Sequence, residues 1–265
     1  MSAEGVGPRA EPDVEGAGWR RDLLLGGRLI LRQPARGHRA GTDAVLLAAA
    51  APDGFRGTLV DLGAGVGAVG LAVAIRAPEA RIRLVEIDPE MAEAARVNAA
   101  LNGCGERVEV IEADALAPHR ARLGAGIAAG DADLVLTNPP FAEGAAGRPS
   151  PDPRRRRAHV IGEGGLDGWI KAAADMLRPR GELVVIHRAD ALPTLLAAMA
   201  GRFGGVSARP IHPRAGDDAV RVIARGVKGS RAPFALRPGL VLHGPDGRFT
   251  PEAEALHRGE RVLRP

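Results

Sequence analysis

Tyrosine is absent from the 265 residues and aromatics make up only 3% of them, so any core must be built from Ala, Val, Leu and Ile. Hydrophobic residues at 45% suffice for one α/β domain of ~200 residues with extensions. The single cysteine, Cys104, excludes an internal disulfide and offers no thiolate cluster to a metal. None of the seven histidines has ligand spacing, so no metal is expected. The longest apolar run, Val45 to Ala51, is too short to cross a bilayer, and the start of the chain lacks the apolar stretch of a secretory signal. These absences point to a cytoplasmic protein with no membrane partner, and no obligate protein partner is evident in the sequence. Lysine is nearly missing too: only Lys171 and Lys228 accompany the arginines that give a net charge of +4 and a pI near 10.3. That balance weakly favours a polyanionic partner, because arginine-rich usage also follows from base composition.

What is present is an alternation of elements. Residues 1–20 read as a disordered tail. Residues 21–56 read as an extension holding a hairpin-like piece (Asp22 to Gln33) and a helix from Thr42, with Thr42 or Asp43 as its cap. From Gly57, apolar runs that end in an acid or glycine alternate with helical segments. TLVDLG, RIRLVEID, RVEVIEAD and ADLVLT read as buried parallel strands, with helices over 66–76 and 89–101 between them. Helices over 166–177 and 192–199, with strands at 182–188, 206–211 and 219–225, complete a unit spanning 57–228. A Gly- and Pro-bearing extension, 229–265, has a terminal helix over 251–257 and is expected to pack on that unit. This order predicts a doubly wound α/β sheet with ligands at the carboxyl ends of its strands.

Two motifs fall at those ends. The first is Asp61-Leu-Gly63-Ala-Gly65-Val-Gly67-Ala-Val-Gly70, between a strand and a helix. Gly65, Gly67 and Gly70 match a dinucleotide fingerprint, with Glu86 as its ribose acid. Asp61, Gly63, Gly65 and Gly67 match instead the loop that binds S-adenosylmethionine. A carboxylate at the strand end repels a pyrophosphate, whereas a zwitterionic amino acid bearing a sulfonium can use one. Asp61 therefore favours the second reading over the first, and four spaced glycines, which lower stability unless something needs the space, argue against a bare tight turn. Glu86 then ends the next strand, placed to accept both ribose hydroxyls, and Asp114 follows the third, placed to accept from an adenine amino group. Asp88, just before Pro89, reads as a helix cap.

The second motif, Asn138-Pro139-Pro140-Phe141, directly follows the fourth strand. Two prolines stiffen the turn and remove two N–H donors, so carbonyls point outward without competition. An aromatic amine is a poor nucleophile because its lone pair is delocalised. If the Asn138 side-chain oxygen and the Pro139 carbonyl accept its two hydrogens, the nitrogen can pyramidalise, while Phe141 stacks on the base. Asn138 would also border the methyl donor. Positioning and electrostatics would carry such a transfer without a tuned general base.

With both motifs present, the chain resembles Class I Rossmann-like methyltransferases of the NPPF/NPPY amino-methylating type. Within them it is most similar to the bacterial tRNA(Val) adenine-N6 methyltransferases. The closer likeness rests on QPARGHRAGTDAVLL, VDLGAGVG, NPPF, RRRRAHVIGEGGL, RGVKGSRAP and LVLHGPDGRFT, within about residues 22–250. It implies a seven-stranded, mostly parallel sheet whose last strand is antiparallel, with Gly41, Thr42 and Asp43 over the methionine end of S-adenosylmethionine. It implies an RNA substrate, most naturally a tRNA. Phe141 departs from the Tyr of many relatives and loses a hydroxyl.

Arg154, Arg155, Arg156 and Arg157 fall beside the expected target pocket and are candidates for RNA phosphates, as are Lys228 and Arg231 with Arg225. Either group also reads as an ordinary solvated surface. Competing readings are a guanine-N2 or glutamine-amide methyltransferase, a non-catalytic binding protein, and an NAD-dependent dehydrogenase that would leave NPPF unexplained. Trp169 is expected to pack within its amphipathic helix rather than to stack a base.

Overall fold

A computed structural model describes residues 18–36, 39–140 and 165–263. The elements in chain order are β1 (Trp19–Leu24), β2 (Leu29–Pro34), α1 (Thr42–Ala49), β3 (Gly57–Leu62), α2 (Ala68–Arg76), β4 (Ala80–Glu86) and α3 (Pro89–Leu101). They continue with β5 (Val108–Glu112), α4 (His119–Gly124), β6 (Ala132–Thr137), α5 (Gly165–Met176), β7 (Leu177–Arg188) and α6 (Leu192–Met199). The last are β8 (Phe203–Arg214), β9 (Arg221–Lys228), β10 (Ala235–Leu236), β11 (Leu240–His243) and α7 (Pro251–His257).

The main sheet runs β10-β8-β9-β7-β6-β3-β4-β5, and β11 also pairs with β8. Strands β3 to β7 run parallel to one another, whereas β9 is antiparallel to both β7 and β8. The expected seven strands with an antiparallel last one are present; β10 and β11 add two short strands along the outer edge of β8, making nine. Alternate side chains enter opposite faces. Leu134, Leu136, Val184 and Ile186 join the layer of α1, α2, α3 and α7. Val135, Leu183 and Val185 join the layer of α5 and α6.

Several sequence expectations need adjustment. The tail expected over 1–20 ends earlier, because Trp19 and Arg20 already pair with Pro34 and Gln33 in the β1–β2 hairpin; residues 1–17 lie outside the described part. α4 was not foreseen, since six residues are too few to display a period. At α1 neither Thr42 nor Asp43 caps the helix: Gly41 is the cap residue and no side chain bonds the first turn. Asp43 instead meets the Arg221 guanidinium at 2.9 Å. Asp88 does cap α3, accepting from the N–H groups of Glu90 and Met91.

The hairpin is fastened by two amides on α3 and its cap. Asn98, fully buried, accepts from Arg32 N–H at 2.7 Å and donates to the carbonyls of Arg32 and Val66. Asn102, four residues on, does the same for the N–H and carbonyl of Ile30. The pair acts as a substitute strand edge, and its bond to Val66 reaches the glycine loop.

Candidate functional site

Register places the motif residues in a row. Leu62 is level with Val85 on one side and Thr137 on the other, so Gly63 follows beside Glu86 and Asn138. With strands about 4.8 Å apart, Glu86 and Asn138 stand on the order of 10 Å from each other across the mouth of the glycine loop.

The loop is shaped by positive φ angles at Gly63 (73°), Gly65 (55°) and Gly67 (85°), which L side chains rarely adopt. A Cβ on Gly65 would meet nothing within 4 Å, so its backbone borders open space. Gly70 serves a different end: a Cβ there would lie 2.3 Å from the Leu84 side chain, so this glycine allows α2 to lie close on the sheet.

Asp61 is buried and accepts the Gly70 N–H at 2.8 Å. Burial pushes its carboxyl up to about 7; the Gly70 bond opposes the rise and the charge of Glu86 adds to it. The side chain that selected the sulfonium reading thus also ties the strand end to the first turn of α2. Glu86 is buried as well, accepting from Gly65 N–H at 2.7 Å and from Asp88 N–H at 2.8 Å. Burial raises its pKa, against the lowering effect of those bonds and of the Ile87 N–H. Ile87 is 56% exposed beside it, an apolar surface at the mouth that no sequence signal distinguished from an ordinary strand end. Asp114 is exposed beyond β5, one oxygen accepting from Leu116 N–H at 2.8 Å.

Asn138 follows a fixed anchor. Thr137, fully buried, donates to the Leu62 carbonyl at 2.8 Å and accepts from the Trp169 indole N–H at 2.8 Å. The indole also lies against Gly63, 3.0 Å from where a Cβ would sit. Trp169 therefore packs from α5 but at the site itself, joining both motifs, which its sequence context did not reveal. Asn138 Oδ1 is occluded and has no hydrogen-bond partner. A shielded oxygen without a partner at this position is acceptor capacity that the described fold leaves unused, and it calls for an explanation. Pro139 is buried and Pro140 partly so.

Ahead of α1, buried Gln33 accepts from Ala40 N–H at 2.9 Å and donates to Asp22 at 2.6 Å, fixing the approach to Gly41. The Thr42 hydroxyl lies 3.3 Å from His257 Nε2, while His257 Nδ1 is 2.8 Å from the Ala253 carbonyl. Nδ1 therefore carries the proton and Nε2 accepts from Thr42. Thr42 is thus held from α7.

The second basic group is not at the site. Because β9 is antiparallel, its last residues lie level with Glu182 at the amino ends of the parallel strands. Lys228 donates there to the carbonyls of Ala174 and Leu177, each at 2.6 Å, and Arg225 is paired with Glu182. Lys228 is thereby committed inside the fold and Arg231, though exposed, lies at the opposite sheet edge. Phe141 and Arg154 to Arg157 fall outside the described residues. Among the described residues, no three His, Cys, Asp or Glu side chains gather into a metal-holding group, and no helix is long and apolar enough to cross a membrane.

The methyltransferase small domain family matches residues 39–151. A tRNA1(Val) (adenine(37)-N6)-methyltransferase of Porphyromonas gingivalis is 31% identical over 241 residues, spanning 87% of this chain and 91% of the relative. One from Aeromonas hydrophila is 34% identical, over 80% of this chain and 85% of its own length. The crystal structure of a predicted O-methyltransferase from Agrobacterium tumefaciens superposes with a TM-score of 0.71 at 35% identity, covering 83% and 98% of the two chains. With these relatives matched over nearly their whole length, the chain belongs to the family of the tRNA1(Val) (adenine(37)-N6)-methyltransferases.

Proposed function

We propose that this protein methylates the exocyclic N6 amino group of an adenine in a tRNA, with S-adenosylmethionine as methyl donor. Its relatives are named for adenine 37 of a valine tRNA, and that nucleotide is the acceptor we infer. We place the reaction in the cytoplasm, where such a substrate is found.

The donor set fits the cofactor. Gly65 borders open space beneath which Glu86 waits with oxygens able to accept from ribose hydroxyls. Exposed Ile87 offers an apolar surface for a planar base, and Asp114 keeps one oxygen for an amino group. Gly41 and Thr42 we assign to the methionine end of the donor. When bound, S-adenosylmethionine supplies an electrophilic methyl on a sulfonium.

The remaining task is to orient a weakly nucleophilic amine. Asn138 Oδ1 and the Pro139 carbonyl each accept one amino hydrogen, which fixes the nitrogen and turns its lone pair toward the donor. Trp169 and Thr137 hold that amide at a set distance from the glycine loop. The orphaned Oδ1 of Asn138 carries this reading. It also speaks against O-methylation, the reaction named for the Agrobacterium structure, because an amide oxygen does not take up a hydroxyl proton.

The test is to incubate the protein with labelled methyl donor and total tRNA, rRNA and protein from a strain lacking the gene. N6-methyladenosine in tRNA is expected; N2-methylguanosine or methylglutamine in its place would refute the acceptor. Asn138→Ala should cut turnover by about 100-fold or more while calorimetric affinity for the donor is kept. Equal turnover would remove the amide from the mechanism.

A further inference from the structure

Residues 191–245 carry eight Arg and Lys but only two acids, Asp217 and Asp218, a net +6 against +4 for the whole chain. These residues build α6, β8, β9, β10 and β11, so the positive charge is concentrated at one end of the sheet. Part of it is spent internally: Arg202 meets Asp167, Arg221 meets Asp43, Arg225 meets Glu182 and Lys228 meets carbonyls. Among the described residues, Arg214, Arg231 and Arg237 form no ion pair, and all three are exposed.

They lie along one line. The segment from Ser230 to His243 follows the outer edge of β8 throughout: Ala232 O accepts from Gly205 N–H, Leu236 is level with Ala208, and His243 is level with Arg214. Ten residues of β8 span roughly 33 Å. Arg231 is at the amino end and Arg237 near the middle, close enough to Arg209 for their charges to repel. Arg214 is at the carboxyl end, the edge that bears Asn138. Glu252 is the acid that Arg209 feels. Phe234 and Leu236 are exposed between the arginines, at 51% and 69%.

We propose that this outer edge is a docking rail for the stem of the tRNA that leads away from the methylated loop. The inference rests on the RNA reading above and adds where the rest of the substrate lies. A line of unpaired guanidiniums over ~30 Å suits phosphates along a duplex, which proteins recognise by shape and backbone. A second protein strand is a poor occupant, because Pro233 and Pro238 remove donors from the edge. A second copy of this chain would set arginine against arginine.

The experiment measures binding of a fluorescein-labelled tRNA transcript by anisotropy across a salt series, for the full chain and for Arg231→Ala with Arg237→Ala. Losing two phosphate contacts should flatten the slope of log affinity against log salt by about 1.8 and weaken binding about 30-fold near 0.15 M salt. Calorimetric affinity for S-adenosylmethionine should hold, showing an intact fold. Arg231→Lys with Arg237→Lys should restore most of the slope. If the full chain methylates tRNA but the alanine pair binds it with unchanged slope and affinity, the rail is overturned and the activity stands. If the full chain neither binds nor methylates tRNA, the RNA reading fails and the rail with it. A concentration-dependent dimer lost in the alanine pair would assign the edge to a second copy and also overturn the proposal.

Discussion

Asp61 combines a site position with a costly environment, and pH separates the two. Its carboxyl titrates near 3.8 in the unfolded chain and near 7 in the fold. Between those values the folded protein retains a proton that the unfolded chain releases, so this residue lowers stability as pH rises and the loss is complete above pH ~7. Asn at this position still accepts from Gly70 but carries no charge. Asp61→Asn should therefore unfold like the parent near pH ~4 and be more stable above pH ~7, as read from denaturant midpoints. A gap independent of pH would show that the carboxyl is not titrating there. Asp61, Glu86 and Asn138 could be picked out as candidates because each stands at the end of an apolar run. What their second contacts are was not: whether a carboxylate faces ligand or the first turn of α2 depends on a neighbour nine residues away, and no local pattern encodes it.

At the scale of elements, strands and long helices were readable from periodicity and caps, and α3 matched its expected span because Asp88 and Pro89 mark its start. The contacts that set the elements against one another were not readable. Asn98 looks like any polar residue on a helix, yet its amide serves three main-chain groups, two on β2 and one in the glycine loop. Asn98→Ala should leave Arg32 and Val66 groups buried without partners and cost about 3 kcal/mol in denaturant unfolding; a loss under about 1 kcal/mol would mean that water replaces the amide. Trp169 offers the matching test at the site. Trp169→Phe keeps the ring against Gly63 but deletes the N–H that holds Thr137. Turnover should fall about tenfold with little change in donor affinity, because the aim of Asn138 is loosened while the glycine loop is not. Equal losses in both would make the tryptophan a packing residue only.

Over the described residues as a whole, the start of the hairpin and the C-terminal helix meet against α1. One cluster of buried side chains runs from Leu25 and Leu29 through α1 and the sheet to Ala253, Leu256 and Leu263. Arg28 donates to the carbonyls of Arg258 and Gly259, Leu263 N–H bonds the Ala49 carbonyl at 2.8 Å, and His257 receives the Thr42 hydroxyl. Phe249 stacks between His243 and His257, holding the imidazole in place. Removing residues 251–265 should thus act at a distance from the deleted segment: loss of the buried Leu256 and Leu263 is expected to lower Tm by about 10 °C or more. His257→Ala separates support of the site from support of the fold, since α7 and its leucines remain while Thr42 loses its acceptor. That variant should melt within a few degrees of the parent, by about 1 kcal/mol of lost stability, yet bind S-adenosylmethionine several-fold more weakly by calorimetry. Unchanged donor affinity in His257→Ala would confine the C-terminal helix to a structural role and leave Thr42 outside the cofactor site.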